Sequence, residues 1–542
     1  MKLALLILYF GVMVGIGLYC RKHTSGINGF VLGGRSVGPW LTAFAYGTSY
    51  FSAVVFVGYA GQFGWKYGIA ATWAGIGNAI LGSLLAWAVL GRRTRILTQH
   101  YNSATMPQFF GQRFQSKSLK IGASVIVFVF LIPYTASLFN GLSRLFGMAF
   151  HMDYTVCIIL MGVLTGIYVI AGGYMATAIN DFIQGCVMLV GICVVIAAVL
   201  NTQGGFLEAL HGLAAVSDPE TVNGEVPGIF ASFFGPDPVN LLGVVILTSL
   251  GTWGLPQMVQ KFYAIKSEDS IHKGTIISTL FAVVVAGGCY FLGGFGRLFA
   301  DQVDVASEGY DAIIPAMLSG LPDLLIAVVV ILVLSASMST LSSLVIASSS
   351  TLTIDLLKGN IVKKMNDFQA VFIMRCFIVV FVLISMVLAI VQYKNSFSFI
   401  AQLMGVSWGA LAGSFLAPFL YGLYWKKTTK AACWASFLFG SGIMTLNLIS
   451  TSTGWFAFPT LLQSSINCGA FAMLAGLVIV PVVSLFTKKP DQAMVDEAFS
   501  CYEKKAPVSQ KNALSELPLS SPACQSTGGG FFKNFSPNGK YT

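Results

Sequence analysis

Charge is scarce in this chain. Lys, Arg, Asp and Glu supply 10% of its 542 residues, against roughly 25% in a soluble globular protein. With 56% hydrophobic residues and a mean hydropathy of +0.77, a water-soluble fold is excluded and a polytopic membrane protein is implied. The ten cysteines fall mostly inside apolar runs, with no CxxC pair and no Cys/His cluster. That excludes a zinc site or disulfide framework and leaves them as small hydrophobes. No GxxxxGK[ST] segment is present, so ATP drive through a P-loop has no support, and no stretch reads as a soluble kinase, nucleotide-binding or receptor domain. The chain is not expected to be an enzyme.

Apolar runs near the roughly 20 residues needed to cross a bilayer recur throughout. They predict an all-α protein of about thirteen transmembrane helices, near 2–20, 39–61, 69–91, 118–146, 153–173, 181–200, 239–260, 274–297, 323–352, 368–392, 396–424, 431–450 and 464–487. The first run has no small-residue cleavage site before Arg21 and Lys22, so it reads as a retained helix. Alternate connections between spans differ sharply in charge, twenty Lys and Arg on one side against five on the other. The net charge of +10 is therefore a topology signal, and no nucleic-acid partner is expected. Basic loops stay cytoplasmic, which puts the amino terminus outside and the carboxyl terminus inside a plasma or inner membrane. The loops at 201–238 and 298–322 then lie outside, and their acidic residues, Asp218 and Asp311 among them, read as solvated faces. Residues 490–542 are Ser-, Gly-, Pro- and Asn-rich without periodicity, which reads as a disordered cytoplasmic tail.

One span departs from the apolar rule. LLIAVVVILVLSASMSTLSSLVIASSSTLTID, residues 324–355, sets a dense run of hydroxyls at membrane depth. Hydroxyls gain nothing by facing lipid and should face protein or a cavity. Ser339 and Ser343 stand i, i+4, and Ser339 and Ser342 i, i+3, so one face gathers hard oxygen ligands suited to a cation such as Na⁺. A second reading stands beside it, in which small residues let helices approach and each hydroxyl bonds its own i−4 carbonyl.

Two other spans carry interruptions. FAYGTSYFSAVVFVGYAG has Gly47, Thr48, Ser49, Tyr50 and Ser52, and TSLGTWGLPQMVQKF has Gly251, Gly254 and Pro256. Pro256 removes a backbone donor, and glycine lowers the cost of unwinding. Breaks at corresponding positions of two halves are the best sequence pointer to a transporter site. These begin spans 2 and 7, five spans apart, which makes the halves inverted. Gly and Pro are also common in membrane helices for packing alone.

GGRSVGPW at 33–40, GTSYFSAVVFVGYAG, IYVIAGGYMATAINDFIQG, PQMVQKF and SASMSTLSS together resemble the sodium/solute symporter family over about 29–430. The resemblance implies a LeuT-type inverted-repeat fold with a 5+5 core. Residues 1–38 would hold the first helix and a cytoplasmic loop, 39–200 the first repeat and 201–238 an extracellular loop. Residues 239–430 would form the second repeat, 431–489 the last two spans and 490–542 the tail. It further implies a sodium site formed by the carbonyls of Thr48, Phe51 and Ala336 and the hydroxyls of Ser339 and Thr340. Asp181, Ser342 and Ser343 match a second sodium site found in some members, and Asp181 has the alternative of capping a helix start. YTASLFNGLSRLF at 134–146 is similar to a span of the sodium/proline branch. That similarity implicates Ser49, Tyr50, Ser52, Tyr134, Thr248, Thr252, Trp253, Pro256 and Gln257 around the substrate, with Tyr134 and Trp253 alternatively serving as aromatic packing. The proline branch has an Asp where this chain has Tyr50, and the pantothenate-type branch is closer there.

The expected function is sodium-coupled import of a small organic solute, an amino acid such as proline or a related metabolite, by a monomeric unit in the bilayer. Uptake of a carboxylate or pantothenate-type solute, proton coupling, a channel, and a transporter-like sensor are the alternatives.

Overall fold

The structure, a computed structural model, describes residues 2–20, 26–150, 152–358, 361–362, 364–395 and 400–503. Most of the expected tail, 504–542, and Arg21, Lys22 and Lys363 of the basic set lie outside the described residues.

Lipid offers no partner to backbone N–H and C=O groups, so apolar runs close their own hydrogen-bond ladders. In chain order the main helices are α1 (Lys2–Cys20), α2 (Pro39–Tyr50), α3 (54–67), α4 (72–100), α5 (Lys117–Phe150), α6 (154–172), α7 (174–202), α8 (Pro238–Leu250), α9 (Pro256–Ala264), α10 (Glu268–Gly293), α11 (Asp323–Ser350), α12 (Asp367–Asn395), α13 (Ile400–Tyr424), α14 (Lys430–Thr453), α15 (Ser465–Phe486) and α16 (Gln492–Glu503). No β-strand occurs among the described residues, only two isolated bridges, Val37 to Ile265 and Lys358 to Val362. Glycines at positive φ separate helices that would otherwise merge, Gly68 (φ 61°) between α3 and α4 and Gly173 (φ 58°) between α6 and α7. The described part of each expected span falls on helix, two of them in halves; among the described residues nine helices are long and apolar enough to cross a membrane, or ten with the bent pair taken as one span.

Those two are the interrupted spans. α2 stops where Phe51 turns extended (φ −88°, ψ 116°), and α3 resumes after Ala53. α8 passes through a tight turn at Gly251–Trp253, Leu255 turns extended (φ −82°, ψ 121°), and Pro256 opens α9. Proline at the first helical position loses no hydrogen bond. The two halves meet at a 41° bend. The hydroxyl-rich α11 lies at the centre, against α2, α5, α7 and α12, and α13, α14 and α15 pack on one another as a layer of their own.

Several sequence expectations are corrected. α7 begins at 174, not near 181, so Asp181 sits inside a helix and cannot cap its start. Asp218 is no free solvated carboxylate. It pairs with the buried Arg297 at 2.8 Å, and Arg297 also donates to the Trp65 carbonyl at 2.6 Å. Partial burial pushes the Asp218 carboxyl up, but hydrogen bonds from Thr221 and Arg297 outweigh it and hold it below the usual range. Asp311 is likewise buried and accepts from the Ile400 N–H at 3.3 Å. Finally, 492–503 is helical where a disordered tail was expected. α16 buries Val495, Ala498 and Phe499, and its Asp496 pairs with Lys426 at 2.8 Å. The stretch AMVDEAFSCY is amphipathic, and its apolar face has a surface to cover.

A close backbone approach joins α3 to α10. A Cβ placed on Gly64 would lie 1.9 Å from the Gly293 carbonyl oxygen, and one on Gly293 would lie 2.1 Å from that of Ala60. Gly64→Ala is therefore expected to force the two helices apart at a cost of about 1–3 kcal/mol or more. The readout is the melting temperature of the purified protein. An unchanged value would mean that this contact has slack.

Candidate functional site

The break after α2 frees backbone groups that α11 then satisfies. The Ser337 hydroxyl accepts from the Ala53 N–H at 3.3 Å, and Ser52 accepts from Val54 N–H at 3.2 Å. On the carbonyl side, Ser339 Oγ lies 3.1 Å from the Thr48 oxygen, and Thr340 Oγ1 lies 3.0 Å from Thr48 and 3.2 Å from Phe51. Both hydroxyls also lie near the Ala336 carbonyl, at 3.0 and 3.1 Å. Each hydroxyl carries one proton. Two protons thus serve five short oxygen–oxygen contacts, all buried, and the cluster holds more lone pairs than donors.

A second polar group lies one turn further along α11. The Ser343 hydroxyl meets that of Ser49 at 2.9 Å, and Ser342 bonds the Ser339 carbonyl of its own helix at 2.8 Å. Asp181 lies there too, but so does Lys261 of α9. The Lys261 ammonium donates to Ser343 Oγ at 2.9 Å, stands 3.9 Å from Asp181 Oδ2, and lies 5.1 Å from the centre of the Tyr174 ring. Both charged side chains are at most 3% exposed. Lys261 follows directly on the apolar run 239–260 and so counts among the twenty basic residues of the connections by its place in the sequence; its alkyl chain carries the ammonium inward instead.

The expected substrate residues divide. Tyr50 is buried, with a hydroxyl that has no hydrogen-bond partner, and both amide atoms of Gln257 are buried without one. The Tyr134 hydroxyl lies beside Ser52 and Trp408. Trp408, on α13, escaped sequence reasoning. Its ring is set edge-on to Tyr134 with centroids 6.0 Å apart and abuts Gly251 at the second break. The only sequence signal was an aromatic residue in a Gly- and Ala-rich stretch, which packing alone also produces. Pro256 lies at this break as the start of α9. The remaining residues turn elsewhere. Thr252 bonds the Gly82 carbonyl at 3.1 Å, Trp253 donates to Leu81 at 2.8 Å, Thr248 bonds Val244 of its own helix at 2.9 Å, and Ser49 points to Ser343. Thr252 and Trp253 therefore moor the second break to α4. Tyr50, Ser52, Tyr134, Gln257 and Trp408 are all neutral and all buried.

Two broken helices and a hydroxyl-bearing third packed against the first break define a multi-pass membrane transporter of alternating-access type. A model of the Sodium:solute symporter family matches residues 30–440, and the chain belongs to that family of sodium-coupled transporters; it is not an enzyme. The osmoregulated proline transporter OpuE of Bacillus subtilis (strain 168) is 29% identical over 490 residues, covering 90% of this chain and 95% of that protein. A sodium/proline symporter of Staphylococcus aureus (strain JH9) is 30% identical over 498 residues, 89% of this chain and 92% of its own. A substrate-bound, outward-open structure of a Na⁺-coupled sialic acid symporter aligns with a TM-score of 0.70 at 16% identity, over 91% of this chain and 99% of that one. The fold is thus the LeuT-type inverted-repeat fold.

Breaking a buried ion pair by removing one partner costs about 3–5 kcal/mol, because the other charge is left uncompensated. Lys261→Met should accordingly lower the melting temperature in sodium-free detergent solution, and Lys261→Met with Asp181→Asn should recover most of the loss. A double variant no more stable than the single one would show that the two residues do not pair.

Proposed function

We propose that the protein imports a small zwitterionic or neutral solute, proline foremost, together with sodium, and that its amino terminus lies outside and its carboxyl terminus in the cytoplasm. The observation that carries the sodium site is the shortage of protons in the cluster formed by the Thr48, Phe51 and Ala336 carbonyls and the Ser339 and Thr340 hydroxyls. A hard monovalent cation satisfies such a set of oxygens better than two hydroxyl protons do. Sodium bound there would tie α11 to the broken span and favour the conformation in which the break accepts solute. Coupling requires this difference between states and nothing more.

The solute would sit between the breaks, against Tyr50, Ser52, Tyr134, Gln257 and Trp408. Neutral hydrogen-bonding groups and half-helix ends replace fixed charges there. The start of α9 favours a carboxylate and the end of α2 favours an amine, by the helix dipole. An amino acid carries both groups. The relatives named for proline support the same choice. Orientation rests on the imbalance of Lys and Arg between alternate connections, nineteen to five once the buried Lys261 is set aside.

The test is uptake of labelled proline, other amino acids and small carboxylates into proteoliposomes, with and without an imposed sodium gradient. Sodium-dependent accumulation of proline is expected. Equal uptake with and without the gradient would overturn the coupling, and accumulation of a carboxylate alone would move the substrate class. Thr340→Val keeps the side-chain shape and removes one hydroxyl ligand. It is expected to raise the half-saturating sodium concentration about tenfold or more, the equivalent of about 1.4 kcal/mol, at unchanged protein abundance. A parallel loss of abundance and uptake would assign Thr340 to packing instead.

A further inference from the structure

Asp181 and Ser343, with Ser342 next to Ser343 on α11, have the ligand chemistry of a second cation site, one carboxylate and two hydroxyls. It already contains a cation. Lys261 Nζ is 2.9 Å from Ser343 Oγ and 3.9 Å from Asp181 Oδ2, and the Tyr174 ring flanks it with its centroid 5.1 Å away. Neither carboxylate oxygen of Asp181 accepts a hydrogen bond, so the ammonium is the group that answers its charge. One carboxylate balances one ammonium, and the pair is dry, with side chains 1% and 3% exposed. A free sodium entering the same oxygens would face the Lys261 charge at close range in a medium that screens poorly.

We propose that the Lys261 ammonium takes the place of a second sodium, so that each chain binds one sodium ion and moves one per solute. This rests on the sodium-coupled reading above and adds the ion count. The tethered cation also does what a mobile ion would do structurally. It links α9, at the second break, to α7 through Asp181 and to α11 through Ser343, one turn from the hydroxyls of the first cluster.

The experiment is equilibrium binding of radioactive sodium, with choline as the replacement ion, to the purified full-length protein, scored as ions per chain. The wild type is expected to bind one. Lys261→Gln, which removes the tethered charge but leaves Asp181, is expected to bind two. Lys261→Gln with Asp181→Asn removes the carboxylate as well and is expected to return to one. Two ions per wild-type chain would overturn the inference while leaving sodium coupling intact, and so would one ion per chain in monodisperse, folded Lys261→Gln. No sodium bound to the wild type would overturn the sodium-coupled reading, and this inference with it. If Lys261→Gln fails to fold, the wild-type count alone decides.

Discussion

Everything at the centre of this molecule follows from one obligation. A helix interrupted inside a bilayer exposes N–H and C=O groups that lipid cannot satisfy, and each left bare costs several kcal/mol. The chain meets that obligation from one neighbour. α11 brings Ser337 to the freed N–H of Ala53 and Ser339 and Thr340 to the freed carbonyls of Thr48 and Phe51. The second break is instead moored through its side chains, Thr252 donating to the Gly82 carbonyl of α4 and Trp253 to that of Leu81. Tyr46 of α2 donates to the same Gly82 carbonyl at 2.7 Å, so the two broken spans share one anchor. The serine density of α11 and the glycine content of the breaks are thus two sides of one requirement.

The positive charges inside the protein obey a related rule. Arg35 donates to the carbonyls of Ser103 and Tyr263, Arg95 to that of Ile265, and Arg113 to that of Gly422. These buried guanidinium groups clasp chain ends and loop backbone, where several planar donors can reach several carbonyls at once. Lys261 is used differently. A lone ammonium on a flexible stem is a compact charge, and it goes to the carboxylate of Asp181 and a hydroxyl. The choice between Arg and Lys follows what has to be held, a stretch of backbone in one case and a point charge in the other.

The spans and both breaks were legible because they depend on composition and on Gly and Pro, which act locally. The faces of α11 were legible because a helix repeats every 3.6 residues, and Ser339 and Thr340 do turn together toward Thr48. Side-chain direction beside a break was not, because the partners come from distant sequence. Ser49, in the last turn of α2, points to Ser343, and Trp253, in the tight turn after α8, to Leu81, away from the expected pocket. Lys261 was misplaced because counting charges by loop treats a lysine near the end of a span as exposed. Asp181 looked like a cap only because the start of its helix was set seven residues late. Trp408, 357 residues from Phe51 in sequence by their numbering, meets the site only through the fold. No local pattern announces such a meeting.

The contact of α3 with α10 carries a mechanical consequence. At Gly64 and Gly293 the two backbones touch with no side chain between them, the Ala60 carbonyl lying over Gly293. Side chains can change rotamer and take up a displacement, but two peptide planes in contact cannot. The half of the broken span that follows the break is held backbone to backbone against its neighbour. The non-helical residues nearest this rigid contact are Phe51 and Ser52, beside the oxygens of Thr48 and Phe51. The bend of the broken span and the oxygens proposed to hold sodium are the same stretch of chain, so an ion bound there would stiffen the bend itself.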